Sequence, residues 1–398
     1  MFRLTSFMRA LVQPARADVP GVPRGPVVIW NLVRRCNLAC RHCYSISADV
    51  DFPGELTREE VFAVMDDLGA FGVPVLILSG GEPLLRHDIL EIAARAKSMG
   101  FYVGLSTNGT LIDAANVAAV ARAGFDYVGI SLDGDEETHD RFRRSKGAYR
   151  RSLQALRLAR DAGIKVGVRF TLTQENAHDL PAMLELVARE RIGKFYLSHL
   201  NYAGRGNVNR AADACHETTR RAMDLLLETC WRNVEAGAET EFVTGNNDAD
   251  GVYFLSWVRR RFPEREAQAR ARLARWGGNA SGVHVANIDN LGNVHPDTMW
   301  GHHTLGNVRE RPFSEIWRDT RDPLMAGLKA RPRRVKGRCA RCVWFDICGG
   351  NTRVRAEQLT GDPWQEDPGC YLTDGEIGAD ATEPRLTVTR YTRRRSVL

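Results

Sequence analysis

No apolar run in this 398-residue chain approaches the roughly 20 residues that span a bilayer, so no membrane-embedded segment is expected. A secretory leader is missing too. Met1 to Asp18 carries Arg3 near its front and Ala15-Arg16-Ala17 where a cleavage site would sit, but Arg9 interrupts the apolar stretch. A cytoplasmic location is expected. Strong charge of either sign is also lacking: 55 basic against 49 acidic side chains leave +6, too mild to imply nucleic acid. Lysine is scarce beside arginine, whose planar fork suits carboxylates and phosphates; arginine-rich codon usage explains the bias equally well. No disulfide framework is laid out either. The nine cysteines are odd in number and clustered, three between 36 and 43 and four between 339 and 370, with Cys215 and Cys230 alone. A secreted scaffold would spread them through a shorter chain, whereas two tight clusters point to two metal sites.

What is present is a soluble globular profile, 43% hydrophobic and 26% charged, long enough for two domains. From 27 to 202 apolar, β-branched runs alternate with helical patterns. The runs are Val27–Val33, Val73–Leu78, Tyr102–Leu105, Tyr127–Leu132, Lys165–Leu172 and Phe195–Leu200. They are near-continuously apolar rather than alternating, as expected for parallel strands buried on both faces. Between them Thr57 and Glu60 form a capping box, and Gly100, Gly124 and Gly163 stand where helices end. The pattern predicts an α/β fold with a parallel sheet, a partial barrel or a doubly wound sheet, whose site lies at the C-terminal strand ends. After Asp213 a long helical pattern runs to about Glu235, and 258–275 is arginine-rich and helical. A hairpin follows at 283–294, then a short helix near Pro312–Asp319.

The chemistry-bearing motifs fall at the strand ends. Cys36-Asn-Leu-Ala-Cys40-Arg-His-Cys43 follows the first strand directly. Three thiolates in one loop suit a 4Fe–4S cube with one iron left open. The competing reading is structural zinc with His42 as fourth ligand, but His42 adjoins Cys43 awkwardly for a closed tetrahedral site. C-x3-C-x2-C after a strand, with Tyr44 behind it, resembles the signature of the radical S-adenosylmethionine (radical SAM) superfamily. The resemblance implies that the open iron chelates S-adenosylmethionine, whose reductive cleavage yields a 5′-deoxyadenosyl radical. Ser79-Gly80-Gly81-Glu82-Pro83 resembles the family's GGEP motif, which contacts the methionine amino group. By the same resemblance the loops Ser106-Thr-Asn108-Gly109 and Ser131-Leu-Asp133-Gly134 face the cofactor's ribose and methionine, with Ser131 and Asp133 as hydroxyl-binding candidates. Each loop is otherwise ordinary turn chemistry. Arg169, on the fifth strand, is a candidate partner for a carboxylate or one half of a structural ion pair.

Cys339-x2-Cys342-x5-Cys348, followed by Cys370, offers four thiolates, enough for a second 4Fe–4S cluster or an all-cysteine zinc site. Its context resembles the SPASM/twitch extensions of radical SAM enzymes, whose lead-in matches 288–317. One departure reduces the expected auxiliary clusters to one. Asp297 stands where a full SPASM domain has cysteine, and no cysteine lies between 231 and 338. Asp297, His302 and His303 are then candidates to face substrate.

A closer resemblance, over roughly 1–375, rests on four further stretches. They are Ile29-Trp-Asn-Leu-Val-Arg-Arg-Cys36, Tyr44-Ser-Ile-Ser-Ala-Asp49, His199-Leu-Asn-Tyr-Ala-Gly-Arg-Gly206 and Gly349-Gly-Asn-Thr-Arg-Val-Arg355. They are similar to the haem d1 biosynthesis branch of the superfamily (NirJ type). That branch implies removal of two propionates from a didecarboxysirohaem-type tetrapyrrole, at positions that later carry oxo groups, with electrons from a low-potential donor. Tyr202, Trp300 and Trp344 become stacking candidates, and His199 or His295 candidate iron ligands, against a structural reading of each. Three alternatives are a peptide-modifying SPASM maturase, a haem-synthesis decarboxylase of propionates and a non-catalytic metal-binding protein. The first is disfavoured because fewer than 30 residues precede the first strand, too few for a peptide-binding winged helix. The third, a non-catalytic iron–sulfur or zinc protein, leaves the 80–83 and 131–133 loops unexplained. The expected layout is an N-terminal extension (1–26), a partial (β/α)6 barrel (27–236), a helical linker (237–282), a small α+β iron–sulfur domain (283–375) and a basic tail (376–398).

Overall fold

The computed structural model describes residues 1–12, 25–379 and 388. Its strands are β1 Val27–Val33, β2 Val75–Gly80, β3 Tyr102–Thr107, β4 Tyr127–Ser131, β5 Val166–Leu172, β6 Lys194–His199, β7 Glu241–Gly245, β8 Val285–Ile288, β9 Asn293–His295 and β10 Gly306–Asn307. They form one sheet in the order β10-β9-β8-β1-β2-β3-β4-β5-β6-β7. β1 to β7 run parallel, β8 is parallel to β1, and β9 and β10 are antiparallel. The six expected strands are all present, and helices between them cover the outer face. Helix Arg58–Ala70 starts at the predicted capping box: Glu60 N donates to Thr57 Oγ1 at 3.2 Å and Thr57 N to Glu60 Oε2 at 2.8 Å. On the concave side Lys194 lies over the Tyr127 ring at 5.0 Å and Arg169 over Tyr196 at 5.3 Å. Parallel strands all end on one side, so the loops after β1 to β7 gather at one mouth. Among the described residues no helix is long and apolar enough to cross a membrane.

Three sequence expectations are corrected. The linker 237–282 is helical over Ala249–Arg261 and Glu266–Trp276, with Pro263 breaking the helix between them, but it begins with the seventh parallel strand. Five residues of mixed polarity carry too short a pattern to be read as a strand without neighbours. The first residues of the expected N-terminal extension are part of the barrel's edge. Phe2 pairs with Thr244 on the open edge of β7 (2.8 and 2.9 Å), Leu4–Val12 is a helix, and Phe2 packs on Phe254 and Trp276. This covers an edge that would otherwise offer free backbone groups. Residues 13–24, including the Ala15–Ala17 stretch, lie outside the described residues. The expected tail boundary at 376 falls inside folded structure: helix Asp374–Ile377 buries Ile377, and Glu376 pairs with Arg220 at 2.8 Å. The rest of that tail lies outside the described residues, apart from Val388.

The C-terminal segment is joined to the sheet rather than hung from it. β8 extends the sheet beyond β1, so the hairpin is continuous with the barrel wall. At the other side Arg355 and Asp367 form a bidentate pair at 2.9 and 2.8 Å, both fully buried, and Arg355 Nη1 also donates to Leu200 O at 3.2 Å. Removing one partner of such a pair leaves a bare charge out of water. Arg355→Met should therefore lower the unfolding free energy in urea by about 3–5 kcal/mol. Adding Asp367→Asn should recover part of the loss, and an unchanged midpoint in the single variant would show that the pair does not hold the segment.

Candidate functional site

The loop after β1 is held against the loop after β2. Gly81 N donates to Val33 O at 2.7 Å and Glu82 N to Arg35 O at 2.9 Å. A Cβ would lie 2.2 Å from Val33 O at Gly80 and 2.1 Å from Arg35 O at Gly81. The glycines are thus demanded by the strand leading into Cys36, not only by approach of a ligand. Cys36, Cys40 and Cys43 gather with Leu38 in one cluster, and all three thiols are free. Burial pushes the Cys36 thiol up to about 12 and raises Cys40. Burial also acts on Cys43, but Ser45 and Ser47 with the Arg205 charge overcome it and hold that thiol below its usual value. Ser45 Oγ lies 3.3 Å and Ser47 Oγ 3.4 Å from Cys43 Sγ, while Arg143 Nη1 donates to Cys40 Sγ at 3.5 Å.

That donor set fits an anionic iron–sulfur cube: three sulfurs kept from water, with hydrogen-bond donors and cations already turned to them. Structural zinc would need a fourth ligand in a closed site, whereas a cube takes one thiolate per iron. His42 is stacked on Phe142 at 4.4 Å.

The remaining predicted residues divide. Glu82 is fully buried and ties β2 to β3. Oε1 accepts from Thr107 Oγ1 at 2.7 Å and Leu84 N at 3.2 Å, and Oε2 accepts from Asn108 N at 2.8 Å. One of roughly four acceptor positions stays open for an ammonium group. Asn108 Nδ2 donates to Asn37 Oδ1 at 2.9 Å, binding the β3 loop to the cysteine loop. Ser106 accepts from Arg169, which among the described residues has no carboxylate partner, so the structural ion pair is not formed. Ser131 is half-buried on β4, beside Arg169 on β5.

Asp133, the other hydroxyl-binding candidate, has both carboxylate oxygens engaged by the protein. It is fully buried, one carboxylate oxygen held by Arg143 and the other accepting from Thr171 N at 2.7 Å. Its task is to hold the arginine that reaches Cys40. No sequence signal marked Arg143, which is the last residue of helix Glu136–Arg143. Arg205 lay unnoticed inside the His199–Gly206 stretch.

Cys339, Cys342, Cys348 and Cys370 come together from three separate turns. Burial raises all four thiols, Cys370 to about 12, and Cys342, Cys348 and Cys370 each also feel the charge of Cys339. Arg353 Nη2 lies 3.9 Å from Cys339 Sγ. Most of the substrate-facing candidates turn out to be structural. Asp297 is half-buried and accepts from Ser281 and from Met299 N, the latter at 2.7 Å. His199 pairs with buried Asp250 at 3.0 Å, and both His295 nitrogens are engaged, by His303 O at 2.8 Å and Asp289 at 3.3 Å. Tyr202 and Trp300 are core residues, His303 pairs with Asp322, and Trp344 lies between Arg259 and Arg270. His302 remains partly exposed, against Glu357 at 2.6 Å.

Burial lifts Glu82 to about 7, against the hydrogen bonds that favour its anion. A carboxyl whose value is raised on folding stabilises fully below its unfolded value near 4.5 and loses that contribution as pH climbs through about 7. Glu82→Gln removes the titration and leaves one donor unmet. Its stability deficit relative to wild type should therefore shrink between pH 5 and 8, by up to about 1.4 kcal/mol per pH unit. Urea unfolding across that range measures it, and a pH-independent difference counts against the buried carboxyl.

The sequence profile of the radical SAM superfamily matches residues 30–187. The chain is 54% identical over 391 residues to "Pre-heme d1 synthase" of Dinoroseobacter shibae, covering 98% of this chain and 96% of that protein. It is 47% identical to "Fe-coproporphyrin III synthase" of Methanosarcina barkeri, covering 89% of each. Among solved structures, Streptococcus suis SuiB bound to its precursor peptide SuiA superposes with a TM-score of 0.69 at 16% identity, over 88% of this chain and 76% of that one. The last likeness is one of fold. The chain belongs to the radical SAM superfamily, in its NirJ-type branch.

Proposed function

We propose that this radical SAM enzyme acts in haem d1 biosynthesis, removing two propionate side chains from a didecarboxysirohaem-type tetrapyrrole. The observation that carries the reading is similarity to a pre-heme d1 synthase over nearly the whole length of both chains. When held by Cys36, Cys40 and Cys43, a 4Fe–4S cube with S-adenosylmethionine on its open iron supplies a primary carbon radical, strong enough to take hydrogen from an unactivated propionate carbon. The protein's own groups prepare for this. Arg143 and the Ser45 and Ser47 hydroxyls offset thiolate charge. The Gly80–Pro83, Ser106–Asn108 and Ser131 loops line the mouth where the cofactor is to lie. Arg169 offers an uncompensated cation, with Ser106, to a carboxylate of cofactor or substrate. The C-terminal segment covers the mouth and keeps water from a reactive radical.

Cys339, Cys342, Cys348 and Cys370 are assigned to a second, fully ligated 4Fe–4S cluster, and a low-potential protein donor to the electron supply. The 47% identity to an Fe-coproporphyrin III synthase supports a second reading, a different side-chain removal on a related tetrapyrrole. Location in the cytoplasm, without nucleic acid or membrane as partner, completes the proposal.

Protein purified and reconstituted without oxygen should hold about eight irons per chain, the content of two cubes. Replacing Cys36, Cys40 and Cys43 by Ala should remove about half and abolish 5′-deoxyadenosine formation; near-stoichiometric zinc would overturn the two-cluster assignment. Didecarboxysirohaem should stimulate 5′-deoxyadenosine release, and mass spectrometry should find it shortened by two propionates. Loss of other side chains selects the second reading, and stimulation by a peptide alone defeats both. Arg169→Met should weaken binding of whichever carboxylate it holds by about ten- to a hundredfold, the loss of one charge-assisted bond.

A further inference from the structure

The stretch from Leu200 to Arg210 touches both halves of the molecule. Toward the barrel it grips the cysteine loop. Arg205 N donates to Cys43 O at 2.8 Å, Arg205 Nε to Cys40 O at 2.7 Å and Nη1 to Ser47 O at 2.8 Å. Asn209 Nδ2 donates to Arg41 O at 2.9 Å. The two backbones lie in contact. Gly204 has φ +52°, and a Cβ there would stand 2.4 Å from Tyr44 O and 2.7 Å from Cys43 O. Toward the C-terminal segment, Asn207 Nδ2 donates to Gln358 Oε1 at 2.7 Å and Arg210 Nη1 to Gln358 O at 3.1 Å.

Arg205 has a donor to spare. Its Nη2 is buried with no hydrogen-bond partner, and among the described residues no carboxylate pairs with its charge. A buried donor is rarely left unmet unless something absent from the protein's own atoms meets it. Arg143, the other guanidinium at the thiols, differs: Asp133 offsets its charge.

We propose that Arg205 is a positioning residue for the cluster at Cys36, Cys40 and Cys43. Its fork fixes the loop from Cys40 to Ser47, and its free nitrogen and uncompensated charge face the cluster and raise the cluster's reduction potential. Reduction adds a negative charge, which a nearby cation favours. The inference rests on the superfamily's cluster at these cysteines and not on the tetrapyrrole reading, so either fails without the other.

Arg205→Met and Arg205→Lys, full-length and reconstituted without oxygen, test it. The potential is read by redox titration of the paramagnetic resonance signal that responds to S-adenosylmethionine. Arg205→Met should hold a cluster with a more negative midpoint and altered g-values. Arg205→Lys, keeping charge without the fork, should recover most of the midpoint but not the g-values. A native midpoint and native g-values in Arg205→Met overturn the proposal, as does Arg205→Lys lying no closer to wild type than Arg205→Met. Should Arg205→Met take up no iron at these cysteines, Arg205→Lys decides alone. Native midpoint and signal overturn the proposal; a changed signal, or loss of this iron alone from an otherwise folded chain, supports it.

Discussion

Three thiols are held out of water at the end of β1, and everything around them answers to the cost of placing negative charge there. A thiolate in that position needs donors that do not depend on solvent. Serine hydroxyls serve Cys43, and the Arg143 guanidinium serves Cys40. Arg143 is itself buried, so Asp133 must be buried to hold it, and Thr171 N must be turned to Asp133. One local requirement thereby reaches from β1 to β4 and β5. Glu82 works in the same way between β2 and β3, spending its carboxylate on Thr107 and Asn108. The polar residues at this end of the sheet are thus largely those that keep strand ends in register.

The second consequence is mechanical. The C-terminal segment adds β8 beside β1, docks Asn351 on Asn247 and Asp248 beyond β7, and meets Leu200 through Arg355. It therefore touches both edges of the open sheet and the loop after β6. A cover fixed at three places around a barrel mouth can exclude water without a large hinge. The four cysteines of that segment are carried by the same turns, so whatever they bind also staples the cover. Phe2 and the first helix close the far edge, where β7 would otherwise present unpaired backbone.

Much of this was legible from residues alone, for reasons of scale. The six parallel strands were visible because most of their positions are apolar, with few polar interruptions such as Asn31 and Arg169. The cysteine spacing was visible because a cluster's ligands must sit in one short loop, and Thr57 with Glu60 because a capping box is a four-residue device. β7 was not visible. Five residues show no period of their own, and Glu241–Gly245 becomes a strand only because β6 offers it a ladder.

The roles of individual polar residues divide along the same line. Sequence by itself determined the class of chemistry: three cysteines at set spacing after a strand, glycines beside a second strand, and four more cysteines beyond. Only the tertiary structure decided which polar groups remain free to act. Asp133 and His199 looked like ligands while their partners were unknown; Arg143 and Asp250, ten and 51 positions away, commit them. Arg205 looked like one arginine among many and Arg169 like half of an ion pair, and among the described residues the fold left each without a carboxylate. Hydrogen-bond capacity belongs to a residue type, but whether it is already spent depends on neighbours that chain order does not bring together.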